Sequence, residues 1–394
     1  MKLSIVRLDH SIAKIKVATT SSSNEVDAES LSKKVLDHLS CRLAVDVSDT
    51  RRWYHVDKKS ASTHTCLRET LIKSIMRYIK ETDRWTAFSS LLLKSIAFHR
   101  YVDPSMSIDT NDKKLPVVDL PRTRFNRPYL PHLGATKEQE VRENRDSMMN
   151  ISHQYPYICM IQTQVTDNNS PSQIPPCQMI GCDLVIFEAN LNEYNPTIPD
   201  FLQLYVGSFT STEWQAIITS TSSSLPWSDE NILKEFYLRW AMKEAYTKAL
   251  GMGLNVDFDS FEARLIGLDV DCAHVNGVWR PRDSIWESIT TETETNQHGQ
   301  IQHQYSFLGQ VIWMKEPNVP RPEGEFWVFT FIPLVENGVV ENLIQSGDTT
   351  TGCVCLCRGP FHDEVDASDQ HDVFIENLTL SDLIQMHGMK ATLL

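Results

Sequence analysis

The 394 residues carry 37 Lys+Arg against 51 Asp+Glu, a formal net charge of −14, with 41% hydrophobic and 22% charged residues. This is ordinary globular usage, which excludes wholesale disorder and fibrous repeats, and the length leaves room for two domain-sized units with buried cores. The acidic balance argues against broad nucleic-acid binding, so an anionic ligand needs a local basic patch.

The first 50 residues end in a polar stretch, Thr19 to Ser32, and read as an N-terminal extension; Arg7, Asp9, His10 and Lys14 interrupt the apolar run a signal peptide needs. A strand-like run follows at Arg52 to Val56. Leu67 to Arg100 predicts a helix within the basic patch, since Arg51 to Arg100 holds eleven Lys/Arg and four Asp/Glu. Leu91-Leu92-Leu93 is broken by Lys94, well short of the ~18 apolar residues of a membrane span. Pro104 to Pro131 is loop-like, Met149 to Val165 strand-like, and Asp167 to Pro176 a polar connector before a buried strand at Gln178 to Phe187. Helices are expected over Phe201 to Ile218 and Leu233 to Leu250, and strands over Phe258 to Leu268, Ile301 to Met314 and Glu325 to Leu334. Seven acids between Asp363 and Asp382 mark a solvated tail. The division predicted is an extension (1–50), two mixed units (51–176 and 177–335) and an acidic tail (336–394), in the α+β class.

Nine scattered cysteines favour reduced thiols in a cytoplasmic setting. Cys353, Cys355 and Cys357 alternate in a way compatible with a soft-metal clip, without a CxxC pair or His pattern to support it.

Three segments carry chemistry. In Gln178 to Phe187, Met179, Gly181, Asp183 and Val185 share one face of a strand, so an acid interrupts an apolar run and calls for a partner, unless it caps the following turn. In Glu235 to Gly251, helical spacing sets Trp240, Glu244 and Lys248 on one stripe with Lys243 nearby, and Gly251 stands as a stop signal. A surface Glu–Lys pair one turn apart would explain the same spacing, although Trp240 argues for burial. In Asn150-Ile151-Ser152-His153 the polar groups suit either an anion or a local turn.

In this order, the segments resemble the landmarks of the 4′-phosphopantetheinyl transferase superfamily, of the larger Sfp-like type that includes aminoadipate-semialdehyde dehydrogenase-phosphopantetheinyl transferases. The matching stretches are Asn126-Arg127-Pro128, Asn150-Ile151-Ser152-His153, Gly181-Cys182-Asp183, Phe209-Thr210-Ser211-Thr212-Glu213, and Trp240 to Lys248 with Lys243 and Glu244 inside it. Asp83-Arg84, Ser89 to Lys94 and His99-Arg100 extend the likeness, which runs from about Arg52 to Leu268.

The resemblance implies two pseudo-symmetric α/β halves, meeting near Asp167 to Gln178, with the active site at their interface in a monomer. It implies transfer of the 4′-phosphopantetheine moiety of coenzyme A to a serine of an apo acyl or peptidyl carrier protein, releasing adenosine 3′,5′-bisphosphate. Asp183 and Glu244 would hold Mg²⁺, Glu244 would act as base directly or through water, and Lys248 would neutralise or protonate the leaving phosphate. His153 would meet the 3′-phosphate of coenzyme A beside Ser152. Arg122, Arg127 and Arg84 would clamp phosphates, and Lys243 would reach the pyrophosphate. Two departures stand out: Asn126-Arg127 replaces the usual Gly-Lys, and Val185 occupies a position that is acidic in many bacterial members, where water would complete the metal shell. A Mg²⁺-dependent phosphohydrolase using the same acids, or a coenzyme A-binding protein that has lost catalysis, stays open.

Overall fold

All described strands fall into two sheets. The computed structural model describes residues 2–8, 74–75, 77–102, 120, 122, 128, 130, 149–162, 179–218, 228–266, 268, 284–291, 305–315, 326–335, 338–339, 350–361 and 373–386. The strands are β1 (Lys2–Arg7), β2 (Met149–Gln154), β3 (Tyr157–Gln162), β4 (Met179–Ile186), β5 (Phe261–Leu265), β6 (Tyr305–Trp313), β7 (Phe326–Val335), β8 (Gly338–Val339), β9 (Thr350–Phe361) and β10 (Phe374–Thr379). The described helices are α1 (Glu81–Val102), α2 (Ile198–Gln203), α3 (Ser211–Ile218), α4 (Asp229–Ala249), α5 (Ile285–Thr291) and α6 (Leu380–Met386). The first sheet has the order β10-β1-β3-β2 and the second β4-β9-β7-β6-β5, with β8 hydrogen-bonded to β7. Mixed helices and mostly antiparallel strands make the class α+β, as the sequence predicts.

Side-chain alternation along the strands sorts the core into layers. Val6, Ile158 and Met160 face α1 and pack with Phe88, Leu92 and Ile96, joined by Leu380 and Leu383 of α6. The opposite face, with Leu3, Ile5, Cys159 and Ile161, packs on Cys182, Leu184, Val354 and Leu356 of the second sheet. The far face of that sheet, including Val185, Phe329, Cys353, Cys355 and Cys357, packs against Leu238, Met242 and Ala245 of α4. The succession is therefore α1, sheet, sheet, α4. The C-x-C-x-C pattern is the inward face of β9, and burial pushes all three thiols well up.

Three expectations need correction. Lys2–Arg7 is not an extension: it lies inside the first sheet, antiparallel to β3 and parallel to β10. Its charged ends masked a four-residue buried centre, and Lys2 is neutralised by Glu376 of β10 at 3.0 Å. Nor is 336–394 a tail, because β9 runs between β4 and β7 and β10 joins the first sheet; the acids that dominate the count hide an apolar strand before them. The final strand thus returns to the sheet where the chain starts, so consecutive units at 51–176 and 177–335 do not describe the topology. Arg52 to Val56 and Leu67 to Lys73 lie outside the described residues.

The helix expected over Phe201 to Ile218 is split into α2, a 3-10 turn at Val206–Ser208, and α3. A capping box opens α3: Thr210 N donates to Glu213 Oε2 at 3.0 Å and Glu213 N donates to Thr210 Oγ1 at 3.2 Å. At the other end of α4, Gly251 at φ 75° permits the expected stop, with Gly251 N donating to Lys248 O and Met252 N to Thr247 O, each at 3.0 Å.

Candidate active site at the meeting of two sheet edges

β2 and β4 are the outer strands of their sheets at the place where the sheets meet. Every second residue of β2 is polar and reaches β4. Asn150 Oδ1 accepts from Cys182 N, and Gln154 Oε1 accepts from Ile186 N, each at 3.0 Å. Between them, Ser152 Oγ donates to Asp183 Oδ1 at 2.8 Å. These rungs satisfy edge-strand donors that would otherwise be unpaired in the interior.

The helix reaches the same spot because Gly181 has no side chain. A Cβ there would stand 2.0 Å from Ala245 O and 2.5 Å from Ala249 N, so only glycine lets α4 lie directly on β4. With Ala245 and Ala249 against Gly181, the residues preceding each, Glu244 and Lys248, are presented to Asp183. Lys248 Nζ donates to Asp183 Oδ1 at 2.5 Å and to Ser152 Oγ at 2.8 Å. Val185, on the same strand face as Asp183, is buried in the apolar cluster under α4 and offers no ligand.

The charges are strongly coupled. Burial pushes the Glu244 carboxyl up and nearby Asp183 adds to this, against the opposing pull of Lys248. For Lys248, burial disfavours the ammonium, but Asp183, Glu244 and the hydrogen bond to Asp183 outweigh it and hold the group charged well beyond the usual lysine range. His153 sits at the exposed rim; desolvation of its inner edge, then Lys248 and Lys94, lower its ring, with partial compensation from Asp83. Neutral imidazole therefore dominates near pH 7, ready to gain a proton beside an anion.

The structure thus brings together Asp183, Glu244, Lys248 and Ser152, with His153 at the margin. It does not bring Lys243 there. Lys243 points away into the interior, where its Nζ donates to Glu213 Oε1 and Oε2 at 2.9 and 2.7 Å and to Phe261 O at 2.7 Å. The expectation that Lys243 reaches the pyrophosphate is therefore corrected: one residue along a helix turns a side chain by about 100°, and Lys243 faces α3 and β5 instead of β4. Arg84 Nε donates to Tyr78 O at 2.7 Å beside the start of α1, and Arg122 lies in an exposed bridge with Pro128; neither contacts the Asp183 group. Arg127 lies outside the described residues. The residue reading passed over Gly181 as a docking point and the period-two polarity of Asn150, Ser152 and Gln154, a signal present in the sequence.

As a cation site, the donor set is two carboxylates. Asp183 Oδ1 is taken by Ser152 and Lys248, while Oδ2 and the Glu244 carboxylate accept no hydrogen bond among the described residues. No third metal-binding side chain joins them among those residues. Two acids fit a hard cation that takes the rest of its shell from water and substrate phosphates.

Residues 179–267, from the start of β4 through α4 and β5, match the family model described as the 4′-phosphopantetheinyl transferase superfamily. L-aminoadipate-semialdehyde dehydrogenase-phosphopantetheinyl transferases of Rattus norvegicus and Homo sapiens are each 34% identical to this chain over 79 residues, 20% of this chain and 24% of theirs. The chain therefore matches about a quarter of the length of these relatives. The protein of the same name from Schizosaccharomyces pombe is 26% identical over 212 residues, 52% of this chain and 67% of its own. Asp183, Glu244 and Lys248 all fall within the matched segment.

Proposed function

We propose that this protein transfers the 4′-phosphopantetheine moiety of coenzyme A to a serine of an apo carrier protein, releasing adenosine 3′,5′-bisphosphate. The observation that carries the reading is the convergence of Asp183, Glu244 and Lys248 on one spot under α4, beside the meeting edges of the two sheets.

Displacement at the pyrophosphate requires a serine oxygen freed of its proton and a place for charge accumulating on phosphoryl oxygens. Glu244, whose basicity is raised by burial, takes the proton directly or through one water. Lys248 lies at the end of α4, where the helix dipole favours a cation, and stays protonated. Its role there would be to neutralise or protonate the leaving phosphate. Asp183 and Glu244 would hold Mg²⁺, which supplies Lewis-acid stabilisation of the phosphoryl oxygens when bound. His153 at the rim, backed by Lys94, suits a terminal phosphate of the donor. The relatives' name makes an aminoadipate-semialdehyde dehydrogenase carrier domain the first acceptor to test, in a cytoplasmic setting. No described helix is long and apolar enough to cross a membrane.

The test is incubation of the purified protein with coenzyme A, Mg²⁺ and a panel of apo carriers, followed by intact mass and peptide mapping. A gain of one phosphopantetheine group on a single carrier serine, abolished by EDTA, is expected. Coenzyme A hydrolysis without a carrier, or binding without transfer to any of them, overturns the reading.

A further inference from the structure

Two enclosed arginines of the chain meet a carboxylate: Arg239 Nε pairs with Glu235 Oε1 and Arg100 Nη2 with Glu376 Oε1, each at 2.8 Å. Arg358 of β9 is enclosed as well, with 6% of its surface exposed, and has no such partner among the described residues. Its Nε donates no hydrogen bond, and the guanidinium rests over the Phe361 ring with Cζ 5.3 Å from the centroid. Burial weakens its hold on the proton, and no neighbouring acid offsets the effect. A guanidinium stays charged even so, which leaves an uncompensated cation in the interior. Arginine is almost never enclosed in this way without a partner.

Strand alternation sets Arg358 on the face turned away from the candidate active site. Cys353, Cys355 and Cys357 of β9 pack under α4, whereas Val354 and Leu356 face the first sheet, and Arg358 continues their row. Val328 of β7 lies opposite it in the ladder, and Val328 and Phe361 form a small buried cluster of their own with half-buried Leu308 and Phe326. One step along the same face, Thr330 Oγ1 and Ser306 Oγ share a hydrogen bond at 2.8 Å, so one of their two hydroxyl hydrogens is unspent among the described residues. The exposed large apolar side chains, such as Tyr194 and Leu204, lie outside this cluster. The spot is therefore enclosed, suited to a small ligand and not to a broad protein face.

We propose that Arg358 and the apolar side chains around it form a binding site for a small organic monocarboxylate, separate from the transfer centre. A carboxylate takes two N–H groups of a guanidinium in a planar fork, and its apolar body fits against Val328, Leu308 and Phe326. The same walls disfavour a phosphate dianion, whose desolvation costs more. The site stands whether or not the transfer reading holds.

Sodium hexanoate is the probe, with inorganic phosphate as the bare anion, each titrated calorimetrically into the full chain at constant ionic strength, with and without saturating coenzyme A. One hexanoate per chain should bind in both conditions, and phosphate at least about tenfold more weakly. Arg358→Met should weaken hexanoate binding at least about tenfold, through loss of a charged hydrogen-bond donor. Arg358→Lys, which keeps the charge but not the fork, should lose less. Without ligand, Arg358→Met should melt no lower than wild type, because it removes an unpaired charge. No hexanoate binding by the wild type, equal binding by Arg358→Met, loss of the site when coenzyme A is bound, or phosphate binding as tightly as hexanoate each overturns the proposal. So does a large fall in melting temperature for Arg358→Met, which would show that the guanidinium already has a partner within the chain.

Discussion

Two lysine–carboxylate pairs on α4, five residues apart, do different work. Lys243 and Glu213 are enclosed, with side chains 0% and 3% exposed. The ammonium donates to both carboxylate oxygens and to Phe261 O, and Glu213 Oε1 also accepts from Ala263 N. Lys248 and Asp183 are 25% and 8% exposed, and they share their surroundings with Glu244, whose carboxylate accepts no hydrogen bond among the described residues. The closed pair is a strut that ties α4 to α3 and β5. The open pair retains unspent oxygen valence, and that capacity, more than the presence of buried charge, marks a site.

The contrast is broken most severely at Asp183. Asp183→Asn should reduce carrier modification by at least about 10²–10³-fold in a single-turnover assay, with a melting curve close to wild type, since Lys248 keeps its hydrogen bond to Ser152 and the nearby charge of Glu244. Transfer at a normal rate by the folded variant would remove the open pair from the chemistry.

At the closed pair the effect should move to stability. Glu213→Ala strands a buried ammonium and two hydrogen-bond donors, and urea unfolding should show a loss of about 3–5 kcal/mol. Replacing both members, Glu213→Leu with Lys243→Met, should cost less than the single change, because no charge is left uncompensated. The corresponding double change at Asp183 and Lys248 should restore no transfer; recovery there would erase the distinction.

Gly181→Ala tests how the open pair is brought together. The new methyl meets the backbone of α4, so the helix must shift, with a stability loss of about 1–3 kcal/mol and a fall in transfer larger than that loss explains.

The smallest effect separates the lysines by sign. Lys248 is held above its ordinary value of 10.5, so its contribution is complete below that pH and is lost as pH rises through the folded value. Lys243 is lowered, first by burial and despite Glu213, so its charged form is disfavoured in the folded state and its contribution rises as pH climbs from the folded value towards 10.5. Stability differences from wild type for Lys248→Met and Lys243→Met, followed from about pH 8 to about 11, should therefore slope in opposite directions, each by less than about 1.4 kcal/mol per pH unit. Parallel slopes would show that the two environments are alike.

Much of the centre was legible before any coordinates. An acid on an apolar strand after a glycine, and Glu and Lys one turn apart on a helix with Trp240, are local patterns of period two and 3.6, and β4 and α4 formed close to the expected ranges. Lys243 shows the limit. By sequence it neighbours the metal-ligand candidate, but its role depends on Glu213 and on the carbonyl of Phe261, partners 30 and 18 residues away. The ends of the chain show a second limit, since six-residue strands such as β1 and β10 carry little periodicity and are stabilised by each other.

The sequence by itself determined the residue types of the site, their spacing within each element and the α+β class, because these follow from side-chain direction along one strand or one helix. Only the tertiary structure decided which lysine meets Asp183, that Ser152 stands between them, and that the first and last described strands lie side by side. Those outcomes depend on contacts between elements far apart in the chain, where the close approach allowed by Gly181 and the polar rungs of β2 select one docking of two sheets and a helix.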